Sequence, residues 1–569
     1  MLSSPRPPGW NGRVVASEKP NHTGPTRTWR LMSLDQGLDE SEQDLRSRAR
    51  EALGASEADL RGFRMVQRSL DARRKRGSMR FVCHVDLITS ASFSHPSLDR
   101  ALRSGRVREA PPAASVQVPG ARPMRVLVVG SGPAGAFAAW VLARNGLSVD
   151  LIDRGSILEQ RGPRLVRFHR TRQPDTETNL LFGEGGAGTY SDGKLYTRVE
   201  DPLEVLLLEE WVACGAPAEI LYDSRAHIGT DRLHRLLPRF RKRLEESGVR
   251  FHWETRLEGL TIEDGRVRAV QTSVGEMSAD AIFLATGHSA RDTWARLAED
   301  GVQFEAKPFQ LGVRVEHPQE LITRGRFGSG PEAQQLGAAS YNLVSRAGDR
   351  PVSGPAAHSF CMCPGGRIVA SVHAPGLLCT NGMSNSTHSS AWANAAVVTT
   401  FSPEDFAPFG EGPFAGVDFQ RHFERVFFEA GGSDYTAPAQ RVPDFLAGRE
   451  STGEMRSSYG FGTCPGRLDQ LLPATAHAAL ARALLHFDNR LPGFASAEGL
   501  MVGLESRSSG PVRMPRDGDR RLAAGIDNLY PIGEGAGFAG GIVSAAIDGA
   551  RSALVFLHDH ASRARGPQG

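Results

Sequence analysis

The spacing of apolar and polar positions changes several times along the chain. From about Arg30 to Ile88 it predicts a strand, a helix and two more strands: Ser41 precedes apolar positions at Leu45, Ala49, Leu53 and Leu60, and Phe63–Ser69 and Met79–Leu87 alternate as half-buried strands do. Residues 93–122 carry Pro111, Pro112 and Pro119 with little period and read as a linker. At Arg125 the character changes. Arg125-Val-Leu-Val-Val129 is a continuous β-branched run of the kind found in parallel strands covered on both faces. The pattern then predicts a small-residue helix over Ala136–Ala143, a strand over Leu147–Ile152, a helix over Asp231–Ser247 and several strands between Val249 and Thr286. Near the end of the chain Asn528–Ile532 reads as a strand and Ile542–Leu557 as a helix. There is no short internal repeat.

Strands alternating with helices predict an α/β protein. The expected layout is a small N-terminal α/β domain (30–92) and a Rossmann-type domain (123–305) completed by 495–560, with an inserted substrate or cap domain (306–494). Residues 1–29 and 561–569 read as tails.

Composition narrows the function classes. Hydrophobic residues make up 40% and charged residues 23%, a globular balance. With 67 Lys plus Arg against 64 Asp plus Glu, the net charge of +3 supplies no broad basic field, so no stable nucleic-acid partner is expected. Six cysteines in so long a chain fit a reducing compartment rather than a disulfide framework, and none has zinc-ligand spacing, so no metal is expected. No apolar run reaches the roughly 18 to 20 residues of a membrane span. A soluble, cytoplasmic protein is the expectation. The first 30 residues hold Glu18 as their sole acid, which allows organellar import, but Pro5, Pro7 and Pro8 break any amphipathic period and favour a tail. No pattern sets an oligomeric state.

The strongest motif is Gly130-Ser131-Gly132-Pro133-Ala134-Gly135, placed directly between the Arg125–Val129 strand and a helix. Gly130 permits the tight turn, Gly132 lets a diphosphate approach bare backbone, and Gly135 lets the helix pack on the sheet. The free amides at the helix N-terminus make an anion site. Asp153, at the end of the second strand and followed by Arg154, is placed to accept ribose hydroxyls. Gly183–Gly188 and Gly535–Gly540 match the same spacing without such a strand before them, which makes them coincidences as Rossmann turns. A second contact region, Gly533–Gly541, lies near the other end of the chain, and Ala281–Gly287 ends in Thr286-Gly287. A long cofactor touched from both ends fits FAD better than NAD.

The motifs Asn179–Lys194, His227–Asp231, Thr286–Asp292, Phe360–Gly366, Ala437–Arg441 and Gly533–Gly541 resemble those of a family of uncharacterised bacterial and plastid FAD-dependent dehydrogenases. The resemblance runs from about Arg30 to about His558. It implies FAD as cofactor and a FAD-dependent-protein C-terminal domain, but it brings no substrate. In flavoproteins of this architecture the N-terminus of the last long helix faces the flavin pyrimidine ring. That implies a role for the N–H groups of Gly540, Gly541 and Ile542 in stabilising reduced flavin. Glu534 stands where relatives use Asp to hold the ribityl chain, the competing reading being a helix-capping acid. Gly185, Gly186 and Gly188 are expected along the diphosphate or flavin, with Lys194 and Arg198 either offsetting phosphate charge or facing solvent.

Candidate catalytic residues are Glu505, Arg507 and Arg513, supported by Arg314 and Arg441, because an Arg fork orients a carboxylate and a nearby acid shuttles a proton. Structural ion pairing is the competing reading. Cys361 and Cys363 read as buried thiols, with a strained disulfide as the alternative. The leading expectation is a flavin-dependent dehydrogenase or reductase acting on a small molecule. With no second nucleotide fold, NAD(P)H docks transiently or the substrate itself reduces the flavin. Two other readings are an RNA-modifying flavoprotein using Arg73, Arg74, Lys75 and Arg76, and a non-catalytic flavin sensor or scaffold.

Overall fold

The computed structural model describes residues 24–73, 79–112, 114–120, 123–348 and 355–564. Its chain packs into two compact units. Among the described residues, one comprises those up to Ala114 with Pro217–Ala226 and Phe327–Gly337, and the other those of Ser115–Ala216, of His227–Arg326 and from Ala338 onward.

The first unit is built on a four-stranded antiparallel sheet in the order Leu60–Asp71, Arg80–Ser90, Thr26–Gly37, Val107–Glu109. The helix Glu42–Leu53 starts at Ser41 with a reciprocal capping box to Asp44 and stops at Gly54, whose φ of 72° is left-handed. Leu60 therefore opens the next strand instead of extending the helical stripe. Part of the expected linker also differs: Pro96–Arg103 is a helix and Val107–Glu109 an edge strand, and both bury apolar side chains at Leu98, Ala101 and Val107. A short amphipathic helix between prolines gives too few turns to show its period in sequence. Of the basic turn, Arg73 is ion-paired with Asp71 at 2.6 Å, and Arg74, Lys75 and Arg76 lie outside the described residues.

The second unit holds the parallel sheet that the apolar runs imply. Its strands lie in the order Leu529–Pro531, Ala281–Leu284, Arg125–Val129, Ser148–Ile152, Val249–His252, all parallel. Val126–Val129 are buried on both faces. Two helices, Pro133–Arg144 and Ile542–Ala564, cross so closely that a Cβ on Gly549 would lie 2.0 Å from the Ala134 carbonyl oxygen. The helix in the sequence-predicted Asp231–Ser247 region spans Thr230–Glu246. Next to this layer stands a seven-stranded sheet in the order Val344–Ser345, Ala357–Cys363, Trp392–Phe401, Phe309–Pro318, Leu500–Glu505, Ala437–Arg441, Thr463–Pro465. The chain leaves the parallel layer to build it and returns for Leu529–Pro531. The fold class is α/β: a Rossmann-type domain with an inserted domain and a small N-terminal α/β unit. Among the described residues no helix is long and apolar enough to cross a membrane.

Candidate cofactor site

The carboxyl ends of the parallel strands open into a cleft that, counted with the open solvent at its mouth, encloses about 930 Å³. Its floor is the glycine turn. Gly130 has φ 108°, and a Cβ there would strike the Ala285 carbonyl oxygen at 2.3 Å, while one on Gly135 would lie 1.9 Å from the Gly130 oxygen. A Cβ on Gly132 would meet nothing nearer than 3.9 Å, because it would project into the cleft. The strand-to-helix turn thus offers bare backbone and a helix N-terminus where a diphosphate needs them.

The expected cofactor residues separate into two groups. Gly130, Gly132, Pro133, Ala134, Asp153, Arg154, Gly186, Gly188, Thr286, Gly287, Gly533, Glu534, Gly541 and Ile542 line the cleft. Ser131, Gly135, Gly185 and Gly540 do not, and each has a structural task instead. The Ser131 amide and hydroxyl donate to Asp153 at 2.9 and 2.6 Å. A Cβ on Gly185 would collide with Thr189 and Leu237. The Gly540 N–H, expected to be free, donates to the Ser544 hydroxyl at 3.3 Å, leaving Gly541 and Ile542 at the cleft-facing helix end.

Asp153 also differs from its expected role. Its two carboxylate oxygens accept from Ser131 and from the amides of Gly155 and Gly183, at 2.9 and 3.1 Å. These four donors fill its acceptor sites, so Asp153 ties the glycine turn to the Gly183–Gly188 loop rather than waiting for a ribose. Arg154 bridges Glu177 and Asp292 at 2.8 Å each and lies over the Phe182 ring.

Sequence reasoning missed Arg161. Fully buried, it donates to the carbonyls of Asn179, Glu184 and Gly186 and to the Thr189 hydroxyl. By drawing those carbonyls to one side it fixes the loop that lines the cleft. Burial lowers its pKa to about 10. A lone Arg on a polar helix gives no signal of this, because its partners are backbone atoms of a later loop.

At the far end, Glu534 faces His288, with 3.7 Å between their nearest polar atoms. Burial pushes the Glu534 carboxyl up to about 7, with Lys307 pulling the other way, and pushes His288 down to about 4. The helix at Ile542 begins well beyond Glu534, so a helix-capping role for this acid falls away.

Three of the candidate substrate residues, Glu505, Arg507 and Arg314, are bound up in buried ion pairs. Arg314 holds Glu505 through two bonds of 2.5 and 3.0 Å. Arg507 and Arg291 each make a fork to Glu424, at 2.7 to 2.9 Å, and these two cations hold Glu424 well below the usual carboxylate range although burial opposes them. Arg441 donates to the carbonyls of Ala497 and Glu454. Arg513 is exposed beside the Phe538 ring. The ion-pair reading therefore describes Glu505, Arg507 and Arg314 better than an Arg fork open to a carboxylate.

Lys194 neither faces solvent nor reaches the glycine turn: it is paired with Asp192 at 2.8 Å. Burial penalises its charge, but Asp192 more than restores it, so its pKa is raised. Arg198 is exposed and does not line the cleft. Around Asp192, the His227 and His388 rings stack at 4.2 Å, and the potential ligand atoms of all three residues lie within 4.8 Å of one another. Spacing rules for zinc could not show this cluster, whose members come from three distant segments. Lys194 already supplies its cation.

The cleft also passes a test of fit for FAD. The Thr286 hydroxyl is buried without a hydrogen-bond partner at its edge, and a Cβ on Gly188 would press on Ile542 at 3.2 Å. Both suit a ligand that brings polar atoms and needs the space.

Sequence comparison agrees. Residues 308–508 match the family of FAD-dependent protein, C-terminal domain-like, 201–360 match FAD dependent oxidoreductase, and 128–158 an NAD(P)-binding Rossmann-like domain, while 30–88 match a domain of unknown function. A Clostridium beijerinckii protein, described as uncharacterized, is 38% identical over 528 residues, covering 92% of this chain and 97% of that one. The chain belongs to this family of FAD-dependent oxidoreductases. Protein FixC of Azotobacter vinelandii is 33% identical over 224 residues, 36% of this chain and 46% of its own. Looser likenesses include the myxobacterial chondrochloren halogenase CndH (13% identity, TM-score 0.35, 79% of this chain and 76% of that one) and L-proline dehydrogenase from P. horikoshii (12%, 0.35, 78% and 99%).

Proposed function

We propose that this family member binds FAD in the cleft and uses it to move a hydride to or from a small organic substrate held between Glu534 and the seven-stranded sheet. Bound FAD supplies the two-electron chemistry. The amides at the Pro133–Arg144 helix start and the bare backbone of Gly132 and Gly186 hold its diphosphate, and the Thr286 hydroxyl hydrogen-bonds to it. The N–H groups of Gly541 and Ile542 meet negative charge that collects on reduction.

The observation that carries the reading is the Glu534 carboxyl, buried in the same cleft as the glycine turn, where burial pushes it up to about 7. A group with that affinity can hold a proton or release it at neutral pH, as a partner to hydride transfer must. His288, kept neutral, faces it as a second polar contact. Because Arg314, Arg507 and Arg441 are already committed, the substrate is oriented mainly by shape rather than by an Arg–carboxylate fork.

NAD(P)H serves as a transiently docked electron donor in this reading. Anaerobic mixing of the flavin-loaded protein with NADH or NADPH tests it. Bleaching within seconds by one nicotinamide is the expected result. If dithionite bleaches the flavin but neither nicotinamide nor any of a panel of amines, hydroxy acids and enoates does, hydride chemistry at this site is refuted.

A further inference from the structure

The strand Ala357–Cys363 loses its register against Trp392–Phe401 between Phe360 and Cys363, so a bulge sits at Cys361. Cys361 has φ 46°, a left-handed conformation that a side chain with a Cβ adopts at a cost and that functional sites often retain. The bulge turns the two cysteines toward each other. The Cys363 thiol lies 3.3 Å from the Cys361 carbonyl oxygen, and the same oxygen accepts from Arg314 at 2.9 Å. Gly382 makes room, since a Cβ there would lie 2.9 Å from the Cys363 sulfur and 2.6 Å from the Arg314 Nη1.

The electrostatics favour a reactive sulfur at one position only. A hydrogen bond from the Cys363 thiol, with the Lys194 and Arg314 cations, holds Cys361 well below the usual thiol range although burial opposes them; Cys363 is pushed well above it. Cys361 is partly exposed and Cys363 buried, the arrangement of an attacking thiolate and a resolving thiol. Cys361 is also near enough for its charge to act on Glu534, which lines the cofactor cleft, and on Glu505. Lys194, Arg314 and Glu505 gain a joint role in this arrangement, as the charged wall around a sulfur pair.

We propose that Cys361 and Cys363 form a redox-active dithiol that exchanges two electrons with the bound flavin. In the oxidising direction the Sγ–Sγ bond forms, two electrons leave the sulfurs together with the one proton that the Cys363 thiol carries, and FAD takes up both electrons and that proton to become its anionic reduced form. In the other direction reduced flavin returns the two electrons and the proton, and the Cys361 thiolate and Cys363 thiol are restored. The inference rests on the FAD reading above, and it adds thiols and disulfides to the classes of electron donor and acceptor for this site.

The test uses the full-length flavin-loaded protein, oxidised with ferricyanide or reduced anaerobically with dithionite, then denatured and alkylated with N-ethylmaleimide. The expected result is two fewer alkylated cysteines in the oxidised sample, with the loss confined to the peptide carrying Cys361 and Cys363, which takes up no maleimide and is two hydrogens lighter than the unalkylated dithiol peptide. Cys363→Ser is expected to abolish the loss and to reduce dithionite uptake from two equivalents to one. The absorbance read in the same titration separates the two claims. A flavin that bleaches normally while both cysteines stay alkylatable overturns the dithiol and leaves the FAD reading intact; a folded protein with no flavin overturns the FAD reading.

Discussion

At the scale of single residues, the missing Cβ atoms of Gly132 and Gly135 face different surroundings and make different predictions. Gly132→Asp adds a carboxylate to open space in the cleft, so the protein is expected to fold with a melting temperature close to that of the flavin-free parent but to purify without flavin. Gly135→Ala instead drives a methyl group to 1.9 Å from the Gly130 oxygen and is expected to cost about 1 to 3 kcal/mol of stability as well as the cofactor. Denaturant melts and flavin content measure both effects. Glu534 predicts a pH dependence. Its folded-state pKa of about 7 lies above that of an exposed Glu, so the folded chain binds this proton more tightly. The associated stability is fully present below the unfolded pKa and is lost as pH rises through about 7. Flavin-free protein is expected to lose stability between about pH 5 and 8, and Glu534→Gln to flatten that slope, leaving the part due to Glu505, which burial also raises to about 7. A wild-type and variant slope that coincide would show that Glu534 titrates normally.

At the scale of elements, buried charge connects strands and helices that are remote in sequence. Glu424, on the helix Ala415–Ala430, neutralises Arg291 and Arg507 together. Glu424→Gln leaves two buried guanidinium groups without a counter-charge and is expected to destabilise the protein by about 3 to 5 kcal/mol in urea melts. This level of organisation was the least legible in the sequence. The turn at Gly130 could be read because all its requirements fall within twenty consecutive residues, Arg125 to Arg144: an apolar strand, three glycines and a helix. The partners of Arg314 and Arg507 are 191 and 83 residues away, and no local pattern distinguishes an Arg waiting for a substrate from one already paired. The same distance hides Asp153's real partner, the Gly183 loop, and the stack of His227 on His388. The small helix Pro96–Arg103 was missed for another reason, its eight residues being too few for a period to emerge.

At the scale of the whole molecule, a glycine turn near residue 130 and a helix start at Ile542 line one cleft. A ligand that bridges these parts binds only the folded state. Free FAD at about 100 times its dissociation constant is therefore expected to stabilise the flavin-free protein by roughly 2.7 kcal/mol, and the gain should be absent in Gly132→Asp. The most direct measurement is the visible spectrum of the purified full-length protein, followed by its melting curve with and without added FAD. The account expects the two absorption bands of oxidised flavin at stoichiometric content, or their appearance with a raised melting temperature once FAD is supplied. A folded, colourless protein whose melting curve FAD does not move would contradict it.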